Sequence, residues 1–143
     1  EVFSQIRGCK ADVSEEAHVQ AALNGLEQSF GPLDGVIHAA GVYGAIGPFT
    51  EVDPEAWFEG IKINLFGSFL VARESCKRFQ KQGGGRIVLL SGGGAATPFP
   101  NYTSYACGKS ALVRFTETIA EEMAPHKIEI NCLAPGFVVT RLH

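Results

Sequence analysis

Apolar residues recur at Val19, Leu23, Leu26 and Phe30, three or four apart, and predict an amphipathic helix from about residue 15 to residue 30. Ser14 is placed to cap it, Glu15 and Glu16 suit its positive end, and Gly31-Pro32 stops it. Before this helix, Lys10-Ala11-Asp12-Val13 reads as the end of a short strand. After it, residues 33–40 carry a strand core, Val36-Ile37, that runs into Gly41, and residues 42–52 read as a loop with Gly and Pro. Asp53 as N-cap with Pro54 at the first helical position opens a second helix, which the pattern extends to about Gln82. Its middle, Ile61 to Val71, is apolar almost all round and predicts burial on two sides, the core on one and a subunit interface on the other. Gly83-Gly84-Gly85 ends it. Ile87 to Leu90 is a short, wholly apolar strand, the kind found in a parallel sheet covered on both faces. Leu112, Phe115, Ile119 and Met123 stripe a third helix over about Ser104 to Ala124, Pro125 ends it, and Ile128 to Leu133 is the last strand.

Strands alternating with helices predict an α/β fold, a parallel sheet with right-handed crossovers. In such sheets ligands bind beyond the carboxyl ends of the strands. Asp12, Gly41, Ser91 and Pro135 all fall at such ends.

The length, 143 residues, predicts a single domain over 1–143. The net charge of −3 comes without any basic run, which argues against nucleic acid as a partner. Cys9, Cys76, Cys107 and Cys132 are scattered, with no paired spacing and no histidine cluster, so neither a disulfide framework nor a metal site is expected. No apolar stretch has the length needed to span a membrane, and no signal-like segment opens the chain. A cytoplasmic location is the expectation.

The candidate chemistry lies in Tyr105-Ala106-Cys107-Gly108-Lys109. Residues four apart share one helix face, so a phenol and an ammonium would point the same way. A free tyrosine, with a pKa near ~10, is a poor acid or base at neutral pH. A neighbouring cation favours the phenolate, and a drop of about 3 units corresponds to roughly 4 kcal/mol. That arrangement suits a tyrosine to moving a proton on or off an alcohol oxygen. The pair follows the strand and a glycine-rich turn, Ser91-Gly92-Gly93-Gly94; His38-Ala39-Ala40-Gly41 and Asn64 lie upstream, and Asn131-Cys132-Leu133-Ala134-Pro135-Gly136 with Thr140 downstream.

In this order and spacing the motifs resemble the short-chain dehydrogenase/reductase family, from Asp12 to Thr140. The resemblance implies a Rossmann-like, doubly wound parallel sheet, here incomplete and limited to strands 3 to 6 of the family fold. No segment matches the family's N-terminal glycine-rich cofactor turn, and the C-terminal substrate segment is likewise unmatched. The chain therefore reads as an internal piece of a longer enzyme that alone binds cofactor weakly or not at all, with the fourth family strand as an exposed apolar edge.

The resemblance also implies roles. Tyr105 carries the substrate proton, and Lys109 lowers its pKa and holds the nicotinamide ribose. Asn64 positions a water in a proton relay. Asp12 and Val13 contact adenine, Ala40 and Gly41 lie along the cofactor, and Pro135, Gly136 and Thr140 form the turn beside the nicotinamide. The cofactor is NAD or NADP. The family's serine, 13 residues before its tyrosine, is Gly92 here. Ser91 stands one residue early and would face away unless the glycines form a bulge. Ser91, a backbone N–H or Thr97 are the alternatives for holding the substrate oxygen. His38 replaces the first asparagine of the family's turn, and Gly108 the serine before the lysine. Phe99, Pro100, Tyr102 and the 42–50 loop are candidate pocket walls. The function read from this is alcohol/ketone interconversion by hydride transfer on a small-molecule substrate. The alternatives are a non-catalytic cofactor-binding or oligomerising relative, or an epimerase or dehydratase using the same tyrosine and lysine. Helices 54–82 and 104–124 imply a homo-oligomer, a dimer within a tetramer.

Overall fold

A computed structural model describes residues 6–135. Three parallel strands, β1 (Gly35–His38), β2 (Gly85–Leu90) and β3 (Ile128–Leu133), lie side by side in chain order. β1 pairs with β2 from Gly35 opposite Arg86 to His38 opposite Leu89, and β2 with β3 from Gly85 opposite Ile128 to Leu90 opposite Leu133. The helices are α1 (Glu16–Phe30), α2 (Pro54–Ile61), α3 (Gly67–Gln82) and α4 (Thr103–Met123). This is a partial Rossmann-like fold with an incomplete three-stranded sheet.

Successive parallel strands placed one beside the next by right-handed crossovers put their connecting helices on the same face. The buried positions of the sheet, Ile87, Leu89, Ile128 and Ile130, therefore share one core with Ala72, Cys76 and Phe79 of α3 and Leu112 of α4. A second cluster, Val19, Leu23, Leu70 and Val71, joins α1 to α3. Among the described residues the opposite sheet face is open: Ile37 is 75% exposed and Leu133 57%, so the expected cover on both faces of the apolar strands is not present there.

The strand expected at Lys10–Val13 does not form. The backbone around Asp12 is taken by the helix start instead: the Asp12 N–H donates to His18 Nδ1 at 3.3 Å and its carbonyl accepts from the Glu15 N–H at 3.2 Å. Local bonds of this kind compete with a ladder. Nor does Ser14 cap α1; it is bound to Asp12 ahead of the helix. Asp12 Oδ1 accepts from the Ser14 N–H at 2.9 Å and the Ser14 hydroxyl at 2.8 Å, while Glu15 stands at the N-cap with no side-chain bond. At α2 the cap is as expected, with Asp53 Oδ1 accepting from the Ala56 N–H at 2.8 Å.

The long helix expected from Pro54 to Gln82 is interrupted by a π-helical segment, Lys62–Phe66, between α2 and α3. A π turn holds one residue more than an α turn and often marks a functional position. Asn64 sits inside it, fully buried. α3 closes on Gly83, whose φ of 91° is the left-handed conformation that glycine adopts without strain.

Candidate active site

β2 and α4 bring Tyr105, Lys109 and Ser91 together. Lys109 is buried; its ammonium donates to the Leu90 carbonyl at the end of β2, 2.8 Å away, and lies 5.9 Å from the centre of the Tyr105 ring. The Ser91 hydroxyl donates to the backbone carbonyl of Lys109 at 3.1 Å. Ser91 is thus directed at the backbone of α4, consistent with its alternation along the strand. From the other side Asn64 reaches the turn after β1. Its Oδ1 accepts from the Val42 N–H at 3.1 Å, and its Nδ2 donates to the Val42 carbonyl at 2.7 Å. A β-carbon on Gly41 would come within 2.9 Å of Asn64 Oδ1 and 3.2 Å of Lys109 Nζ. Only glycine lets that turn close over both groups.

A β-carbon on Gly92 would collide with the Tyr105 hydroxyl. The phenol therefore fills the space that the family's serine side chain would enter. The Tyr105 ring is bordered by Tyr43, centroid to centroid 5.1 Å, and Phe99, 6.1 Å, both edge-on.

Burial raises the Tyr105 pKa above the ordinary phenol value, and Tyr43 adds to the rise. This differs from the expectation that Lys109 lowers it. The reason is geometric: the ammonium is turned to the Leu90 carbonyl, and burial depresses its own pKa. At neutral pH the phenol holds its proton.

His38 ends β1 as a buried side chain whose Nε2 has no hydrogen-bond partner among the described residues. Burial, with Lys109 adding, pushes its pKa down to about 4. The unfolded chain, titrating near ~6.5, binds the extra proton first as pH falls. The stability this neutral imidazole contributes is full above ~6.5 and declines toward pH ~4, by about 3 kcal/mol in all. Urea unfolding near pH ~7.5 and ~4.5 is expected to show that slope in the wild type and a flatter one in His38→Asn; equal slopes would remove His38 from the account.

The profile of the family described as short chain dehydrogenase matches residues 1–143. The chain belongs to that family. The match runs over all 143 residues, which corrects the reading that the resemblance stops at Asp12 and Thr140. A short-chain type dehydrogenase/reductase of Picea abies is 38% identical over 133 residues, 92% of this chain and 49% of that protein. An NAD+-bound xylitol dehydrogenase superposes with a TM-score of 0.86 at 28% identity, covering 91% of this chain and 50% of that one. A gluconate 5-dehydrogenase from Burkholderia cenocepacia, in complex with NADP and tartrate, superposes with a TM-score of 0.85 at 30% identity, covering 92% and 51%. The chain spans about half the length of the curated relatives it matches.

The residues assigned to the short-chain dehydrogenase cofactor gather partly on one cavity. A space of about 800 Å³ is bordered by Asp12, Val13, Ala40 and Gly41, together with His18 and Ile63. The Asp12 carboxyl is held below its usual pKa, chiefly by the two Ser14 hydrogen bonds, and stays ionised. Pro135 lies two residues beyond the end of β3. Gly136 and Thr140 lie outside the described residues.

Some of the framework around this site was not read from the sequence. The Ser104 hydroxyl donates to the Trp57 carbonyl at 2.6 Å, and Trp57 Nε1 donates to Thr103 Oγ1 at 3.0 Å. These bonds clamp α2 onto the first turn of α4, one residue from Tyr105. Gly44, with φ 70°, and Gly60 are the close-approach points, since a β-carbon on either would strike Ser104. The glycines at 44 and 60 were the available signal, but only the crossing of the two segments gives them a partner. Tyr43 as the neighbour of Tyr105 was missed for the same reason.

Proposed function

We propose that the protein is an NAD(P)-dependent oxidoreductase interconverting an alcohol and a ketone, with Tyr105 carrying the proton. The observation that carries this reading is the close approach of Gly41 to both Asn64 and Lys109, with the half-buried Tyr105 beside the lysine. It joins a cavity ending in an ionised acid, Asp12, to a phenol that is protonated at neutral pH. The residues fit a dinucleotide: an acidic acceptor at one end, and glycine where the wall closes over the lysine. Asp12, Val13, Ala40, Gly41, Lys109 and the Pro135-Gly136 and Thr140 segment would hold it. Bound nicotinamide supplies or accepts the hydride. Tyr105, which keeps its proton at neutral pH, donates it to the carbonyl oxygen in the reductive direction. Asn64 fixes the turn after β1, and Ser91 fixes the backbone of Lys109.

The test is consumption of NADPH or NADH across a panel of ketones, followed by cofactor absorbance. Turnover with at least one cofactor is expected, and cofactor binding without any turnover would replace the reading by its alternative. That alternative, a non-catalytic cofactor-binding relative, is favoured by one observation: the Tyr105 hydroxyl fills the space at Gly92, and the Ser91 hydroxyl is committed to a backbone carbonyl.

The proposal extends to a second copy of the chain as partner. Phe58, Ile61, Leu65, Phe66, Phe69 and Phe115 border a groove of about 740 Å³ along α2, the π segment and α4. Phe58 is 63% exposed at its mouth. A dimer or tetramer is expected by sedimentation, and Phe58→Glu should weaken it at least ~100-fold by placing a charge in an apolar contact. A monomeric wild type would end this part of the reading. The described helices include none long and apolar enough to cross a membrane. The described cysteines are free thiols, which supports the reducing cytoplasm as location.

A further inference from the structure

The walls around the Tyr105 hydroxyl come from two loops, and their chemistry is uniform. Residues 39–50, after β1, and residues 91–102, after β2, contain no charged side chain. The second loop contributes Gly92, Gly93 and Gly94. Gly94 packs against the Tyr105 ring and the Phe99 ring, at 3.2 and 3.3 Å from where its β-carbon would be, while a β-carbon on Gly93 would meet nothing within 4 Å. A side chain at Gly93 would thus stand in open space, next in sequence to the two glycines that meet Tyr105.

Rings border the rest. Phe99 stacks on Tyr102, with centroids 4.4 Å apart and planes 14° from parallel. Tyr43 meets both Tyr102 and Tyr105 edge-on at 5.1 Å. Phe99 keeps part of its surface in solvent, 38% exposed, directly beside the reacting tyrosine.

The ring wall is held in place before any ligand arrives. Val42 is bonded through both backbone groups to Asn64, and Gly44 is wedged against Ser104 and Gly60. The Gly47 N–H donates to the Asn101 carbonyl at 2.9 Å, tying the first loop to the second. Preorganised apolar walls bind by area and shape, without ordering cost. Aromatic faces and edges favour another aromatic ring in offset or edge contact.

We propose that the site takes an uncharged carbonyl compound bearing a flat ring next to the carbonyl carbon, with the ring against Phe99 and Tyr43. This rests on the oxidoreductase reading above. A carboxylate or phosphate on the substrate would find no cation in either loop, and Lys109, beside Tyr105, is buried against the Leu90 carbonyl. To replace the water hydrogen bonds of a polyhydroxylated chain, the rings offer only the hydroxyls of Tyr43 and Tyr102, and Phe99 offers none. For acetophenone, the carbonyl π bond breaks and C–H and O–H bonds form. The hydride comes from the reduced cofactor, which is oxidised, and the proton from Tyr105.

The experiment compares kcat/KM for acetophenone and for the ketopentose xylulose, with NADPH and with NADH, in the wild type, Phe99→Ala and Tyr43→Leu. The wild type is expected to favour acetophenone at least ~10-fold. Phe99→Ala and Tyr43→Leu should each reduce that ratio several-fold, mainly through KM. Equal or better use of xylulose, or a ratio unchanged in both variants, overturns the ring site and leaves the oxidoreductase reading standing. Calorimetric titration of acetophenone separates the remaining case. If no carbonyl compound is turned over, the oxidoreductase reading fails. Saturable acetophenone binding lost in Phe99→Ala then still supports the ring site, and absence of binding overturns it too.

Discussion

Tyr105→Phe is expected to lower turnover by about 10²–10⁴-fold, the contribution typical of a positioned general acid, while cofactor affinity changes little. The substitution removes one oxygen and nothing else. That oxygen lies in the space left by Gly92, so its loss strains no packing, and the ring keeps its contacts with Tyr43 and Phe99. Lys109 also keeps its place, because its ammonium is held by Leu90 and its backbone by Ser91. The variant should therefore fold as the wild type and bind NADPH or NADH with a similar dissociation constant by fluorescence titration. Single-turnover reduction of a ketone is the deciding measurement. A rate within a few-fold of wild type would assign the proton to another group and return the site to the non-catalytic reading.

Phe79→Ala should cost about 3–5 kcal/mol of stability, the range for losing a buried aromatic ring. Phe79 is completely buried in the cluster shared by α3, α4 and the sheet. Its ring occupies the space where a side chain on Gly85 would stand, so the start of β2 approaches α3 through this one residue. Its carbonyl also accepts from the Gly83 N–H at 3.0 Å and the Gly84 N–H at 2.9 Å, closing the helix before the strand begins. Truncation leaves a cavity where helix and sheet meet, and Gly85 has no side chain to fill it. Natural domains hold roughly 5–15 kcal/mol in total, so a large part of the stability goes. Urea unfolding followed by circular dichroism is the check, with Phe79→Leu expected to lose much less. A shift below ~1 kcal/mol for Phe79→Ala would mean that the core packs elsewhere.

Much of the architecture was legible. Val36-Ile37, Ile87–Leu90 and Ile128–Leu133 lie in the three strands, and the stripes from Val19 and from Leu112 lie in helices. The failures share a cause. Lys10–Val13 has strand-like composition, but a strand needs a neighbouring backbone, and Asp12 found its partners in His18, Ser14 and Glu15 instead. The π segment at Lys62–Phe66 has no periodicity that separates it from an α-helix, because Ile61 to Val71 is apolar almost all round and leaves no stripe whose shift could show.

The sequence by itself determined the fold class, since alternating short apolar strands and striped helices leave a right-handed parallel sheet as the solution. It also determined the candidates Tyr105, Lys109 and Gly41, because helical spacing and strand-end position are local properties, while Asn64 came from the family resemblance. Only the tertiary structure decided how these groups face one another. Lys109 turns to the Leu90 carbonyl, and burial raises the Tyr105 pKa through desolvation, which depends on what other segments bring near. It also decided that Gly92 makes room for a phenol and that Tyr43 stands beside it. Such contacts join residues far apart in the chain, and no local rule of spacing carries them.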